Sequence, residues 1–238
     1  MIACMNCNKI LEDGQKTCPH CDGMGSVIGV PFLVFSGMAN LPSISPTVTT
    51  KWARPSDVRA KKIRMEAIPG YSFFGELPLR LRILLYGRYG SGKSSLALGL
   101  AQAVSNSWRG QTVYVCAEEG YESATMQRKL IDQEITSDQL ILVDSVRDMR
   151  RAVRSENAQN VVIDSLNRVR LKVDDVANIY AEISGMLILV AHSTKQDDYK
   201  GESGFAHDCD VVAHMDDGVL KFDKNRFGGQ TEQEIWKK

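Results

Sequence analysis

Along the chain, apolar residues gather into five short runs separated by stretches of helical spacing. The runs lie near residues 83–86, 113–117, 140–143, 161–163 and 187–191, and each is unbroken, as in a strand covered on both faces. Between them, Ser95–Ala101, Glu122–Glu134, Val146–Val153 and Asp174–Ser184 place apolar residues on one side of a helix. Strand alternating with helix predicts an α/β doubly wound sheet, mainly parallel. The pattern changes near the end: Val211–Met215, Asp217-Gly218 and Val219–Phe222 read as strand, tight turn and strand, an antiparallel hairpin closing the sheet.

The first 80 residues do not share this rhythm. Cys4-x-x-Cys7 and Cys18-x-x-Cys21 stand ten residues apart, and two such knuckles supply a tetrahedral set of four thiolates, for which Zn2+ is the usual occupant. Two disulfides are the competing reading, disfavoured in a reducing compartment. Asp13-Gly14 between the knuckles signals a turn of a small hairpin finger. His20 lies inside the second knuckle but is a spectator, because four thiolates saturate the ion and leave a structural site. So small a module owes its folding to the metal. Residues 22–50, rich in Gly, Ser, Pro and Thr, read as linker, although Ile28–Phe35 could add a strand. Lys51–Arg64 then holds six basic residues, one acid and Trp52, either a nucleic-acid contact or a solvated helix face over a buried indole. The expected domains are a zinc finger at 1–25, a linker and basic segment at 26–65, and the α/β core at 66–238. Cys116 and Cys209 stand alone and are expected to be buried small hydrophobes.

Composition excludes several classes. The 238 residues carry 29 basic and 29 acidic side chains with 43% hydrophobic content, which argues against both a polycationic nucleic-acid coat and a disordered chain. Cut at residue 80, the balance becomes +3 for the front and −3 for the rest. No run of 18 apolar residues predicts a membrane span, and Met1–Met5 lacks the basic start and apolar run of a secretory signal, so a cytoplasmic protein is expected.

The most specific chemistry is Gly87-Arg88-Tyr89-Gly90-Ser91-Gly92-Lys93-Ser94, a full match to G-x-x-x-x-G-K-[ST] between a strand and a helix. Gly87, Gly90 and Gly92 let the loop wrap so that the N–H groups through Ser91, Lys93, Ser94 and Ser95 face the phosphates of ATP. Lys93 reaches the β- and γ-phosphates, and Ser94 ligates Mg2+. A second metal-organising carboxylate is Asp164, ending the Val161–Ile163 strand; Asp144, after Leu140–Val143, is its rival. Hydrolysis also needs a group that positions water. In RecA-type P-loop proteins the catalytic glutamate ends the strand after the P-loop helix, which points to Glu118, with Glu119 the alternative. His192, at the end of the Met186–Ala191 strand, is placed to sense the γ-phosphate.

The four-cysteine finger, the P-loop, Tyr114–Glu119 leading to Glu122-Ser123, the Val161–Ser165 strand, Val190–Lys195 and Lys224-Asn225-Arg226-Phe227-Gly228 together resemble the bacterial RadA (Sms) recombination ATPases. The last five residues reproduce that family's KNRFG signature, and the resemblance covers residues 4–21 and about 81–229. It implies a RecA-like core related to the DnaB helicases, assembled as a homo-oligomeric ring, a hexamer, that moves on single-stranded DNA in recombination, repair or replication. Recombinase or replication proteins are the implied partners. Lys224 and Arg226 would then act in trans on the γ-phosphate held by the neighbouring subunit. The chain departs from the family in its long finger-to-core linker and in ending about ten residues after the signature, without the C-terminal protease-like domain. Lys195–Asp208 is the expected pore loop, although Asp197, Asp198 and Glu202 weaken its charge. The alternative is a zinc-finger adaptor whose assembly ATP switches without motor work.

Overall fold

The computed structural model describes residues 2–3, 10–11, 53–107, 109–193 and 204–236. Cys4, Cys7, Cys18 and Cys21, Asp13-Gly14, Trp52 and most of the Lys195–Asp208 segment lie outside them, and with them the expected zinc site and pore loop. The chain divides into two compact units, residues 1–58 and 59–238. In the first, strands β1 (Ile2–Ala3) and β2 (Ile10–Leu11) pair antiparallel. Helix α1 (Pro55–Ala60) crosses the division, and Arg54, Arg59, Lys61, Lys62 and Arg64 are all exposed.

The second unit opens with a two-stranded hairpin, β3 (Met65–Glu66) and β4 (Leu77–Pro78), which encloses a short 3-10 turn at Ser72–Phe74. Arg109, 1% exposed, holds this hairpin to the core by donating to the carbonyls of Glu66, Leu77 and Pro78, which satisfies a cation that burial would otherwise penalise.

Then follow β5 (Arg82–Gly87), α2 (Lys93–Ser105), β6 (Thr112–Cys116), α3 (Ala124–Asp132), β7 (Leu140–Val143), α4 (Val146–Ser155) and β8 (Asn160–Asp164). The series ends with α5 (Leu166–Val169), α6 (Val173–Glu182), β9 (Leu187–His192), α7 (Gly204–Asp208), β10 (Val211–Asp216), β11 (Val219–Asn225) and β12 (Glu232–Glu234). The sheet order is β12-β11-β10-β5-β9-β8-β6-β7, parallel from β10 to β7 and antiparallel at β10–β11–β12. Helices α2 and α3 cover one face, and α4 to α7 the other. This is the doubly wound arrangement that the alternating pattern predicts.

Boundaries differ where side chains compete with periodicity. The helix expected from Glu122 begins at Ala124, because the Ser123 hydroxyl accepts from the Met126 N–H and caps it. The helix expected to reach Ser184 stops at Glu182, where Ile183 turns extended to enter the core. Strand β11 runs beyond Phe222, since Lys224 and Asn225 continue the ladder opposite Val212 and Val211. Asp217-Gly218 turns with both φ angles positive (49° and 83°), as a two-residue hairpin requires. The edge strand β12, Glu-Gln-Glu, carries no apolar signal from which the sequence predicts a strand. Cys116 and Cys209 are buried, and burial pushes both thiols up to about 12.

Candidate active site

The parallel register assembles the site. Gly87 pairs with His192, Asp164 with Val190 and Cys116 with Asp164, so the carboxyl ends of β5, β9, β8 and β6 stand side by side. Because the chain crosses from β5 to β6 with β9 and β8 between them, the phosphate loop and Glu118 flank a crevice where the strand order reverses, the usual place for a ligand in such sheets. A cleft of about 360 Å3 lies there, lined by Gly90, Gly92, Lys93, Ser94, Ser95, Glu118, Glu119 and His192, with Tyr89 and Lys129 at its walls.

The loop geometry demands its glycines. A Cβ on Gly87 would lie 2.1 Å from the Met215 carbonyl oxygen, and Gly92, which starts helix α2, has φ 95°. Lys93 is 4% exposed, and its ammonium folds back onto its own loop, donating to the Arg88 carbonyl at 2.6 Å and the Ser91 hydroxyl at 3.4 Å. Burial pulls this ammonium below its ordinary value, against the carboxylates of Asp164 and Glu118. A buried cation bonded only to neutral oxygens has the anionic partner of the cleft still to gain.

Asp164, 6% exposed, accepts from the Tyr114 hydroxyl at 2.7 Å through Oδ2 and is also bonded by Ser94. Burial pushes its carboxyl up, and those hydrogen bonds only partly oppose it. Its Oδ1 is buried without a hydrogen-bond partner. A hard divalent cation fits this arrangement of an orphaned carboxylate oxygen beside a serine hydroxyl, so Ser94 and Asp164 are suited to hold Mg2+. Asp144 does other work: its Oδ1 accepts from the Tyr121 N–H at 2.7 Å and anchors the loop after β6.

The two glutamates also part company. Glu119 is ion-paired with Lys129 at 2.6 Å. Glu118 instead takes two contacts on Oε2, from the Ser165 hydroxyl and His192 Nε2, each at 3.1 Å. A carboxylate oxygen accepts, so Nε2 is the donor in that contact, and Nδ1 is buried and without a hydrogen-bond partner. Tyr89, 72% exposed, stacks on the His192 ring at 3.9 Å between centroids, with the ring planes 24° apart, and covers it.

Lys224 and Arg226 are not brought to this cleft. Asn225 pairs with Val211, which pairs with Ile83, so both cations sit at the amino edge of the sheet. The seven-residue span of β11 separates them from the carboxyl edge by about 20 Å. Lys224 donates to the carbonyls of Ala206 and His207, and Arg226 pairs with Asp210 at 3.1 Å.

Several site residues have no role assigned by the sequence motifs: Tyr114, Ser165, Lys129, Tyr89, and Asn167, whose side-chain oxygen accepts from the His192 N–H at 2.7 Å. A charge run could have revealed one more group. Arg168, Arg170 and Lys172 are exposed in the connection between β8 and α6, at the same carboxyl edge, and no ion pair among the described residues engages them.

No protein-family profile matches the chain, and no curated protein matches it. Among solved structures, a KaiC-like protein from the hyperthermophilic archaeon Pyrococcus horikoshii OT3 matches with a TM-score of 0.55 and 19% sequence identity, over 69% of this chain and 90% of that one. At that identity the likeness establishes the fold alone, an α/β core on a mainly parallel sheet.

Proposed function

We propose that the chain is an ATP hydrolase that works as a ring-assembled motor on single-stranded DNA, in recombination, repair or replication. One observation carries the hydrolase reading: Lys93, Ser94, Glu118 and His192 line one cleft, Asp164 is hydrogen-bonded to Ser94 behind it, and Asp164 Oδ1 and His192 Nδ1 are buried without partners. The P-loop N–H groups and Lys93 bind the triphosphate, and Ser94 and Asp164 would hold Mg2+, which would supply positive charge against the phosphates. Glu118, steadied through Oε2, orients water through its other oxygen and takes the proton as the water oxygen attacks the γ-phosphorus and the bond to the bridging oxygen of ADP breaks. His192 links Glu118 to the state of that phosphate.

Support for the DNA reading comes from the KNRFG resemblance and from Arg168, Arg170 and Lys172, whose open cations at the sheet's carboxyl edge suit a phosphate backbone. The four-cysteine zinc finger, the hexameric ring and the trans action of Lys224 and Arg226 belong to the same reading.

The test is steady-state hydrolysis of ATP with and without single-stranded DNA over a series of salt concentrations. Stimulation by DNA that weakens with salt, and falls in the triple variant Arg168→Ala, Arg170→Ala, Lys172→Ala while basal turnover persists, is the expected result. Tight ATP binding with negligible turnover in both conditions would identify a nucleotide-switched adaptor instead.

A further inference from the structure

Trp236 stands beside the phosphate loop on the flank opposite Glu118 and His192. The chain reaches it by a fixed route. β12 pairs with β11, and the N–H groups of Ile235 and Trp236 then both donate to the Gly218 carbonyl, at 2.8 and 3.2 Å. Gly218 has to be glycine here, since a Cβ would lie 2.6 Å from the Trp236 carbonyl oxygen. The indole is thereby set against the start of helix α2: its Cζ3 and Cε3 lie 3.2 and 3.4 Å from where a Cβ on Gly92 would be, with the Met215 methyl beside them. Yet 38% of Trp236 remains exposed, so a large aromatic next to an anion cradle keeps open surface.

A nucleotide with its phosphates in the loop must extend its sugar and base out of one flank. The flank toward β9, β8 and β6 is taken by His192, Asp164, Ser165 and Glu118, the groups that address the terminal phosphate, metal and water. The other flank, toward β10 and β11, is where Trp236 lies. We propose that Trp236 is the platform on which the nucleobase of the bound triphosphate stacks. The proposal rests on the nucleotide-binding reading above and adds a second subsite to it. Stacking on an indole recognises the π-face shared by all bases, so this subsite adds affinity without choosing between adenine and guanine.

The experiment compares binding of ATP, GTP and inorganic tripolyphosphate, each with Mg2+, by calorimetry to the full chain, to Trp236→Ala and to Trp236→Phe. The native chain should bind both nucleotides more tightly than tripolyphosphate. Trp236→Ala should lose about 5- to 150-fold in affinity for both nucleotides, the range of a lost base stack, and keep its affinity for tripolyphosphate. Trp236→Phe should retain most of the nucleotide affinity. Unchanged tripolyphosphate binding also shows that the loop is still folded. Equal losses for all three ligands would overturn the platform and leave Trp236 as a prop for Gly92, and a native chain that binds tripolyphosphate as tightly as ATP would overturn it as well. A native chain that binds none of the three would instead bring down the phosphate-loop reading itself.

Discussion

The two edges of the central sheet are built on opposite terms. At the carboxyl edge, polar groups are buried and left short of partners: Asp164 Oδ1, His192 Nδ1, Glu119 Oε2 and Ser193 Oγ have no hydrogen bond among the described residues, and the Lys93 ammonium has no anion in direct contact. At the amino edge, Arg82 Nε and Thr112 Oγ1 are also buried without partners, but the two cations under β11 are satisfied within the subunit: Lys224 by two carbonyls and Arg226 by Asp210. Buried groups without partners are costly, so a fold keeps them where a ligand completes them. Partly exposed cations with weak partners cost little to hold and little to release. The first edge offers groups that a ligand would complete, whereas the cations of the second would exchange their partners at little cost. The KNRFG stretch shows the division residue by residue. Asn225 donates to the Phe74 carbonyl and Phe227 packs against the core, while the alternate residues Lys224 and Arg226 turn to the other face.

The strongest way to break this comparison is Arg226→Ala. If the amino edge of one subunit completes the carboxyl edge of the next, turnover of the assembled protein should fall by roughly 10^3-fold or more, as for other arginine fingers, with ATP affinity unchanged. Steady-state hydrolysis and equilibrium binding on the same preparation decide it. Native turnover in the variant would leave Arg226 as a partner of Asp210 and nothing more.

Within the carboxyl edge, Glu118→Gln tests the division of labour between the two glutamates. Glutamine keeps the shape and can still accept from Ser165, but it takes no proton, so turnover should drop about 10^2- to 10^4-fold while ATP still binds. Glu119→Gln breaks an ion pair with Lys129 and should cost less than about tenfold, since a partly exposed pair contributes little. The reverse order of effects in single-turnover measurements would exchange their roles.

Much of this was legible in the sequence because it is local or periodic. Five of the six parallel strands, β5 to β9, the phosphate loop and the Asp-Gly hairpin turn follow from contiguous residues. What pairs Gly87 with His192 and Cys116 with Asp164 is strand order, which no window of sequence contains. Tyr114 illustrates the loss: within β6 it is one more apolar-run residue, and only the adjacency of β8 turns its hydroxyl into the group that fixes Asp164. Tyr89 fills a position that the phosphate-loop motif leaves free and Trp236 lies in no motif, so neither has a signature until the fold puts His192 beneath one and Gly92 against the other. The edge strand β12 is all polar because it is an edge, and so escapes a search for apolar alternation.

The smallest effect expected is also the one that separates function from stability within a single residue. Burial raises the Asp164 carboxyl above its unfolded value, so the empty fold prefers the protonated acid and gives up stability as pH climbs from the ordinary carboxylate range through the raised value. Asp164→Asn removes that charge and keeps an oxygen to accept from Tyr114. Without metal near neutral pH the variant should therefore melt higher than the native chain, by about 2–4 °C for each kcal/mol recovered in a domain of this size. The advantage should shrink toward acid pH, where the native carboxyl is protonated as well. Millimolar Mg2+ with nucleotide should reverse the order, because only the native carboxylate gains a cation on Oδ1. Melting curves at several pH values, with and without Mg2+ and nucleotide, read all three trends. A variant that melts lower than native at neutral pH without metal would mean that the hydrogen bonds from Tyr114 and Ser94 outweigh burial, and that the carboxyl edge is less strained by its open groups than its partnerless oxygens imply.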